Sequence, residues 1–159
     1  ILIKHEEFPY ELPPQLGEDE IRVRIREHLD MVEMMGTENK YPAELSGGMK
    51  KRVALARVLI LNPENVFFDE PTTGLDPMIS NSILRLIYNL HQKLKFTGII
   101  VTHHFQKVFE IVQKVAMLHK GKIIAYTEPA AFLKSSNAMV TQYIREAVQG
   151  PLEALKNGA

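Results

Sequence analysis

The run Leu45-Ser46-Gly47-Gly48-Met49, followed further along by Val66-Phe67-Phe68-Asp69-Glu70, constrains this chain more than any other feature. A serine and two glycines opening an amphipathic helix turn backbone N–H groups and the positive end of the helix dipole toward an anion. A hydrophobic strand that ends in paired carboxylates suits magnesium binding and the activation of water. Both features serve phosphate chemistry. Ser46 is also a good helix N-cap, a role worth about 1 kcal/mol by itself. Two consecutive glycines at a helix start nevertheless cost propensity, and close backbone approach to a ligand is the usual compensation. Burying even one uncompensated carboxylate is costly, and a cation beside Asp69 and Glu70 resolves that cost.

Thr73-Gly74-Leu75-Asp76-Pro77 and Ile99-Ile100-Val101-Thr102-His103 extend the pattern. In this order and rough spacing, the four motifs resemble those of ATP-binding cassette (ABC) ATPases. The resemblance implies an α/β fold like that of P-loop NTPases, a mostly parallel sheet with helices on both faces. The P-loop itself, Gly-x-x-x-x-Gly-Lys followed by Ser or Thr, has no match. Gly121-Lys122 is the only Gly-Lys pair, with Ala116 and Ile123 where glycine and a hydroxyl residue are required. The chain opens on Ile1 rather than methionine and therefore reads as the C-terminal part of a longer protein, a partial domain lacking the P-loop half. Residues 1–45 are expected to be the end of a helical subdomain with a Pro-rich connector, 46–134 the C-terminal part of the ATPase core, and 135–159 a C-terminal helix and tail.

Composition fits a globular piece of such a protein. The 159 residues are 45% hydrophobic and 24% charged, enough for one core. No apolar stretch approaches the roughly 20 residues of a membrane span. Nineteen Lys plus Arg balance nineteen Asp plus Glu, so no basic field points to nucleic acid as a partner. The absence of cysteine removes disulfides, thiolate metal sites and cysteine nucleophiles.

Helical spacing of Ile21, Ile25, Leu29 and Val32 after Glu18-Asp19-Glu20 predicts one amphipathic helix running toward Gly36, preceded by a connector with Pro9, Pro13 and Pro14. Asn62-Pro63 breaks the helix that begins at Ser46, and Val66 to Phe68 reads as a buried parallel strand. Asp76-Pro77 starts a helix with Ile83, Leu86, Ile87, Leu90 and Leu94 on one face, ended by Thr97-Gly98. Ile99 to Thr102 reads as a second buried strand, then a helix from Phe105 to Val112. Val115 to His119 and Lys122 to Tyr126 flank Lys120-Gly121 as a hairpin. Glu128 to Leu133 is a short helix, and Ser135-Ser136-Asn137 caps a last one bearing Val140, Tyr143, Ile144, Ala147 and Val148, stopped by Gly150-Pro151. Either the chain's own core or a dimer or membrane-subunit contact covers its apolar face.

The family resemblance assigns roles residue by residue. Ser46, Gly47 and Gly48 would contact the γ-phosphate of ATP held on the P-loop of the opposite subunit, which makes the site composite and dimerisation part of the mechanism. Asp69 would support Mg²⁺, commonly through water, and Glu70 would polarise the attacking water as general base. Asp76 lies in the family's D-loop, between the two subunits, so it would link the two nucleotide sites as well as cap a helix. His103 matches the switch histidine that contacts the γ-phosphate. Met49 stands where the family commonly has glutamine, and His104 where many relatives carry aspartate; His104 is given no catalytic role. His5, His28, His91 and His119 are expected on the surface. Lys50, Lys51 and Arg52 are expected to form a solvated face.

The Met after Ser-Gly-Gly, the stretch Thr72-Thr73-Gly74-Leu75-Asp76-Pro77 and a C-terminal helix ending in Gly150-Pro151 look most like the ATPase subunits of Mla or MCE-type lipid transporters of bacterial envelopes. That resemblance implies ATP and Mg²⁺ as cofactors. It also implies a homodimer at the cytoplasmic face of the inner membrane, membrane permease subunits, and an MCE-domain partner carrying phospholipid or other lipid. The alternatives are the ATPase of another import or export system, or a soluble ABC ATPase acting on nucleic acid or the ribosome. Gly36, Pro42 and the Pro-rich start exclude the long coiled coil of the chromosome-maintenance type.

Overall fold

A computed structural model describes residues 17–149. The Pro-rich connector, His5 and Gly150-Pro151 lie outside the described residues. Close contacts divide the chain into two compact units, the first ending at His103 and the second beginning at His104.

In the first unit, α1 (Glu18–Met31) carries three acids in its first turn, where they meet the positive end of the helix dipole. It ends with Glu33 at φ 58°, with Met34 N–H on the Leu29 carbonyl and Glu33 N–H on that of Asp30. That is a Schellman stop, with glutamate where glycine is usual. A short 3₁₀ turn, Pro42–Glu44, leads into α2 (Gly47–Leu59). Then come β1 (Asn65–Asp69), α3 (Pro77–Leu94) and β2 (Thr97–Val101), with β1 and β2 paired in parallel, Phe67 opposite Ile99 and Asp69 opposite Val101. Gly74, at φ 78°, makes the turn between β1 and α3 possible. Leu29, Val32 and Met34, Val53, Ala56 and Leu59 of α2, Val66 and Phe68 of β1, and Ile83, Leu86, Ile87 and Leu90 of α3 form one buried cluster.

Three expectations change here. Thr97-Gly98 does not end α3; Lys95, left-handed at φ 58°, caps it and Thr97 already begins β2. The strands are buried on one face only: Val66 and Phe68 point into the core, while Phe67, Ile99 and Val101 are 72%, 47% and 55% exposed. Among the described residues the helices therefore cover one face of this parallel pair, because alternate side chains of a strand point to opposite sides. His28 is buried, not on the surface, since it shares the helix face of Ile21, Ile25 and Val32. Its Nδ1–H donates to the Arg24 carbonyl at 2.8 Å, and Nε2 is buried with no partner among the described residues.

Arg52 ties this unit together. Nη1 donates to the Val32 carbonyl at 2.9 Å and to Glu33 at 2.6 Å, and Nη2 to the Ser82 hydroxyl at 2.7 Å, so one guanidinium joins the end of α1, α2 and α3. Its side chain is 16% exposed, unlike the solvated position the sequence implied.

The second unit begins with α4 (Phe105–Val108), much shorter than the helix expected to reach Val112, and continues with the hairpin of β3 (Val115–His119) and β4 (Lys122–Thr127). Lys120 and Gly121 both have positive φ, the twist that a two-residue hairpin turn requires. Next are α5 (Pro129–Leu133) and α6 (Ala138–Gln149), whose first N–H groups are capped by the Asn137 side chain. Val140 is fully buried and the Tyr143 ring lies 5.5 Å from Phe105, so the chain's own unit covers this part of the α6 apolar face.

Arg52→Met, which keeps the apolar stem, should destabilise the protein by about 1–3 kcal/mol in urea unfolding because the Val32 carbonyl and the Ser82 hydroxyl lose their donor. Glu33→Ala should cost under about 1 kcal/mol, since an exposed carboxylate contributes little. Equal losses would make the ion pair, not the three-way tie, the source of stability.

Candidate functional site

Parallel pairing delivers the site residues. The Glu70 N–H donates to the Val101 carbonyl at 2.9 Å, carrying the β1–β2 ladder one step past Asp69 and setting Glu70 beside the end of β2. Glu70 itself has φ 45°, a left-handed backbone that costs a non-glycine residue on the order of 1 kcal/mol and redirects its side chain away from the strand alternation. Its carboxylate is the meeting point of four donors. Oε1 accepts from His103 Nδ1 at 2.6 Å and from the His103 backbone N–H at 3.1 Å. Oε2 accepts from the Thr73 hydroxyl at 3.0 Å and from that of Thr102 at 3.2 Å. A carboxylate only accepts, so the His103 Nδ1 carries the proton.

Burial pushes the Glu70 carboxyl up, but the hydrogen bonds from the His103 side chain, Thr73 and the His103 backbone, with the charge of His103, outweigh it and hold the carboxyl below its ordinary value. Glu70 is therefore a carboxylate at neutral pH, fixed in direction and partly open to solvent at 29% side-chain exposure. The arrangement can orient a water and withdraw its proton toward Glu70.

The other sequence candidates each occupy their own element. Asp69 ends β1 exposed, on the face of Phe67. Among the described residues no group of three His, Cys, Asp or Glu side chains forms a ready metal cage. Mg²⁺ commonly takes one or two carboxylates together with waters and substrate phosphates, so Asp69 fits one ligand of such a shell. Ser46 caps α2, its hydroxyl accepting the Met49 N–H at 3.3 Å, while the first-turn N–H groups of Gly47 and Gly48 have no carbonyl within the helix to serve. Asp76 caps α3, its Oδ1 accepting the N–H groups of Met78 and Ile79, each at 3.0 Å. His104 is the N-cap residue of α4.

Sequence reasoning missed three members. Thr73 and Thr102 lie inside the motifs named above, and their hydroxyls complete the Glu70 shell; a hydroxyl residue in each motif, one of them three residues after Glu70, was the available signal. Lys51 Nζ reaches the Glu70 carbonyl at 3.4 Å from α2, a tertiary contact with no signature in the chain.

Comparison with known proteins decides the family. Residues 4–73 match the family described as "ABC transporter". The chain is 42% identical over 122 residues to the methionine import ATP-binding protein MetN of Lactococcus lactis subsp. cremoris (strain NZ9000), 76% of this chain and 33% of that protein. The chain belongs to the ABC transporter ATP-binding family. The energy-coupling factor transporter ATP-binding protein EcfA of Methanococcus maripaludis is 41% identical over 130 residues, 82% of this chain and 46% of that protein. Among solved structures, cbiO1 from Clostridium perfringens, part of the ABC transporter complex cbiONQ, superposes with a TM-score of 0.72 at 33% identity over 89% of this chain and 56% of its own. The ADP conformation of MJ1267, an ATP-binding cassette of an ABC transporter, gives 0.72 at 26% identity over 81% of this chain and 51% of its own. The fold is that of these P-loop NTPase cassettes, and the chain spans a third to a half of the curated relatives it matches.

The lowered pKa of Glu70 sets a sign. Its contribution to stability is complete above the unfolded carboxyl pKa and is lost as pH falls through the lower folded value. Glu70→Gln should lower the melting temperature at neutral pH, and the gap from the parent should close as the pH falls below the ordinary carboxyl value of 4.5. A gap that stays constant down to acid would mean that the four bonds do not favour the ionised form.

Proposed function

We propose that this chain is the catalytic and signature part of an ATP-hydrolysing subunit of an ABC transporter, working as a head-to-tail homodimer. The observation that carries the reading is the Glu70–His103 pair, a fixed carboxylate with a protonated ring nitrogen against it at the end of the parallel strands. In this reading Glu70 orients the attacking water and draws off its proton, while Thr73, Thr102 and His103 keep it ionised and aimed. His103 would face the terminal phosphate, and Asp69 would hold Mg²⁺ as one ligand, an ion that would supply charge neutralisation at the phosphates. Ser46, Gly47 and Gly48 present the open N-terminus of α2 to the nucleotide of the partner subunit, and Asp76 lies at the loop between the subunits. The sequence has no P-loop, so ATP would sit on residues outside this chain, and the 159 residues alone should bind it weakly.

The subunit would sit peripherally at the cytoplasmic face of the membrane beneath permease subunits; no helix among the described residues is long and apolar enough to cross a bilayer. As to cargo, MetN is named for methionine import and EcfA for energy coupling, and these names favour uptake of a small solute. The lipid cargo and MCE-domain partner suggested by Met49 and residues 72–77 have no support in the relatives named above.

In the full-length protein, Glu70→Gln should bind ATP normally while turnover falls by about 100-fold or more, the scale of a lost general base, and an ATP-bound dimer should accumulate. The amide can keep the fold by turning its NH₂ toward the two threonine hydroxyls. Steady-state hydrolysis near the parent rate would remove Glu70 from its role.

Ser46→Arg tests the composite site. Paired in a mixed dimer with a subunit lacking its P-loop lysine, it places both defects in one site and spares the other; with both changes in one subunit, both sites are damaged. The first arrangement should retain more ATP-dependent closure by crosslinking. Identical behaviour would place Ser46 in its own subunit's site.

A further inference from the structure

Gly47 and Gly48 face a constraint inside their own subunit. A Cβ on Gly48 would lie 2.8 Å from Ile79 Cγ2, and one on Gly47 3.3 Å from Leu75 Cδ2. The two contacts differ in kind. Leu75 Cδ2 is the end of a flexible side chain and can yield by a few tenths of an ångström. Ile79 Cγ2 is bonded directly to Cβ, and a β-branched residue in a helix keeps essentially one χ1 rotamer, so this methyl moves only if α3 moves. Gly48 sits in the first turn of α2, one residue before the N–H that Ser46 caps, and Ile79 is itself a donor to the Asp76 cap at 3.0 Å. The close contact therefore joins two capped helix starts, each within one turn of its cap.

We propose that the contact of Gly48 with Ile79 Cγ2 locks the start of α2 to the start of α3, making Ile79 a positioning residue that holds Ser46 and Asp76 as one unit. The glycine is required here because a methyl of α3 occupies the place of its side chain, independently of any phosphate. Its mechanical consequence, that the signature turn and the loop between the subunits move together when the dimer closes, rests on the function proposed above.

The experiment is a set of double variants in the full-length protein, read by thermal melting without nucleotide and by ATP-induced dimerisation. Alanine is a better helix former than glycine, so with open space Gly48→Ala would raise the melting temperature; the contact requires a fall of about 3–8 °C. Adding Ile79→Leu, which removes the branched methyl, should restore melting and dimerisation to the level of the Ile79→Leu protein. Adding Ile79→Val, which keeps a methyl on Cβ, should restore neither. If Gly48→Ala is insoluble, the same contrast is read as recovery of folded protein with leucine and not with valine. A Gly48→Ala protein as stable as the parent, or equal rescue by leucine and valine, would overturn the contact. Recovery of melting without recovery of dimerisation, in a parent that dimerises, would overturn the positioning role. A parent that never dimerises with ATP would sink the nucleotide reading, while the melting contrast would still decide the contact.

Discussion

The bonding of the Glu70 carboxylate is the interaction on which the rest of the site depends. Its donors come from the turn after β1, from Thr102 just past β2, and from both the backbone and ring of His103. A carboxylate so placed fastens two strand ends while remaining partly open to solvent. Burial opposes its ionisation and the hydrogen bonds overcome that opposition, so the same contacts that hold the turn also keep the group ionised. The left-handed backbone at Glu70 is the strain this arrangement tolerates.

Behind the carboxylate, the frame is set by pairing and by one partly buried cation. The β1–β2 register brings Asp69 opposite Val101 and so decides which residues meet at the strand ends. Arg52 then joins α1, α2 and α3 through a guanidinium that no solvent-facing role would hold in place. Lys51, its neighbour in sequence, reaches the backbone of Glu70, so α2 bears on the strand end as well as on the helices. Helix caps do the remaining alignment, with Ser46 and Asp76 fixing where α2 and α3 begin.

Much of this was legible from residues alone, because caps, periodicity and breakers act locally. Asp76-Pro77 announced α3, and the spacing of Ile83, Leu86, Ile87 and Leu90 announced its buried face. The hairpin at Lys120-Gly121 and the α6 cap at Asn137 were local too. What escaped depends on tertiary context. A hydrophobic run cannot reveal that Phe67, Ile99 and Val101 face away from the core while Phe68 faces into it, because that depends on which side the helices lie. Lys95 adopts a left-handed cap that its side chain does not signal, so the end of α3 was placed too late. His28 and Arg52 read as surface residues by type, and only their position on a packed helix face overrides that. The glycine pair was legible as a close approach, but the sequence could not tell a phosphate from an isoleucine methyl.

In the function proposed above, Glu70 and His103 are the chemical end of a site completed by a second subunit. A crystal structure of the full-length Glu70→Gln protein with ATP and Mg²⁺ is the decisive test of that arrangement. That crystal structure should show a dimer in which residue 70 lies within about 3.5 Å of a water in line with the terminal phosphate, His103 faces that phosphate, and the N-terminus of α2 of one subunit meets the nucleotide of the other. A nucleotide bound far from residue 70, or one enclosed without the second subunit's residues 46–48, would contradict it.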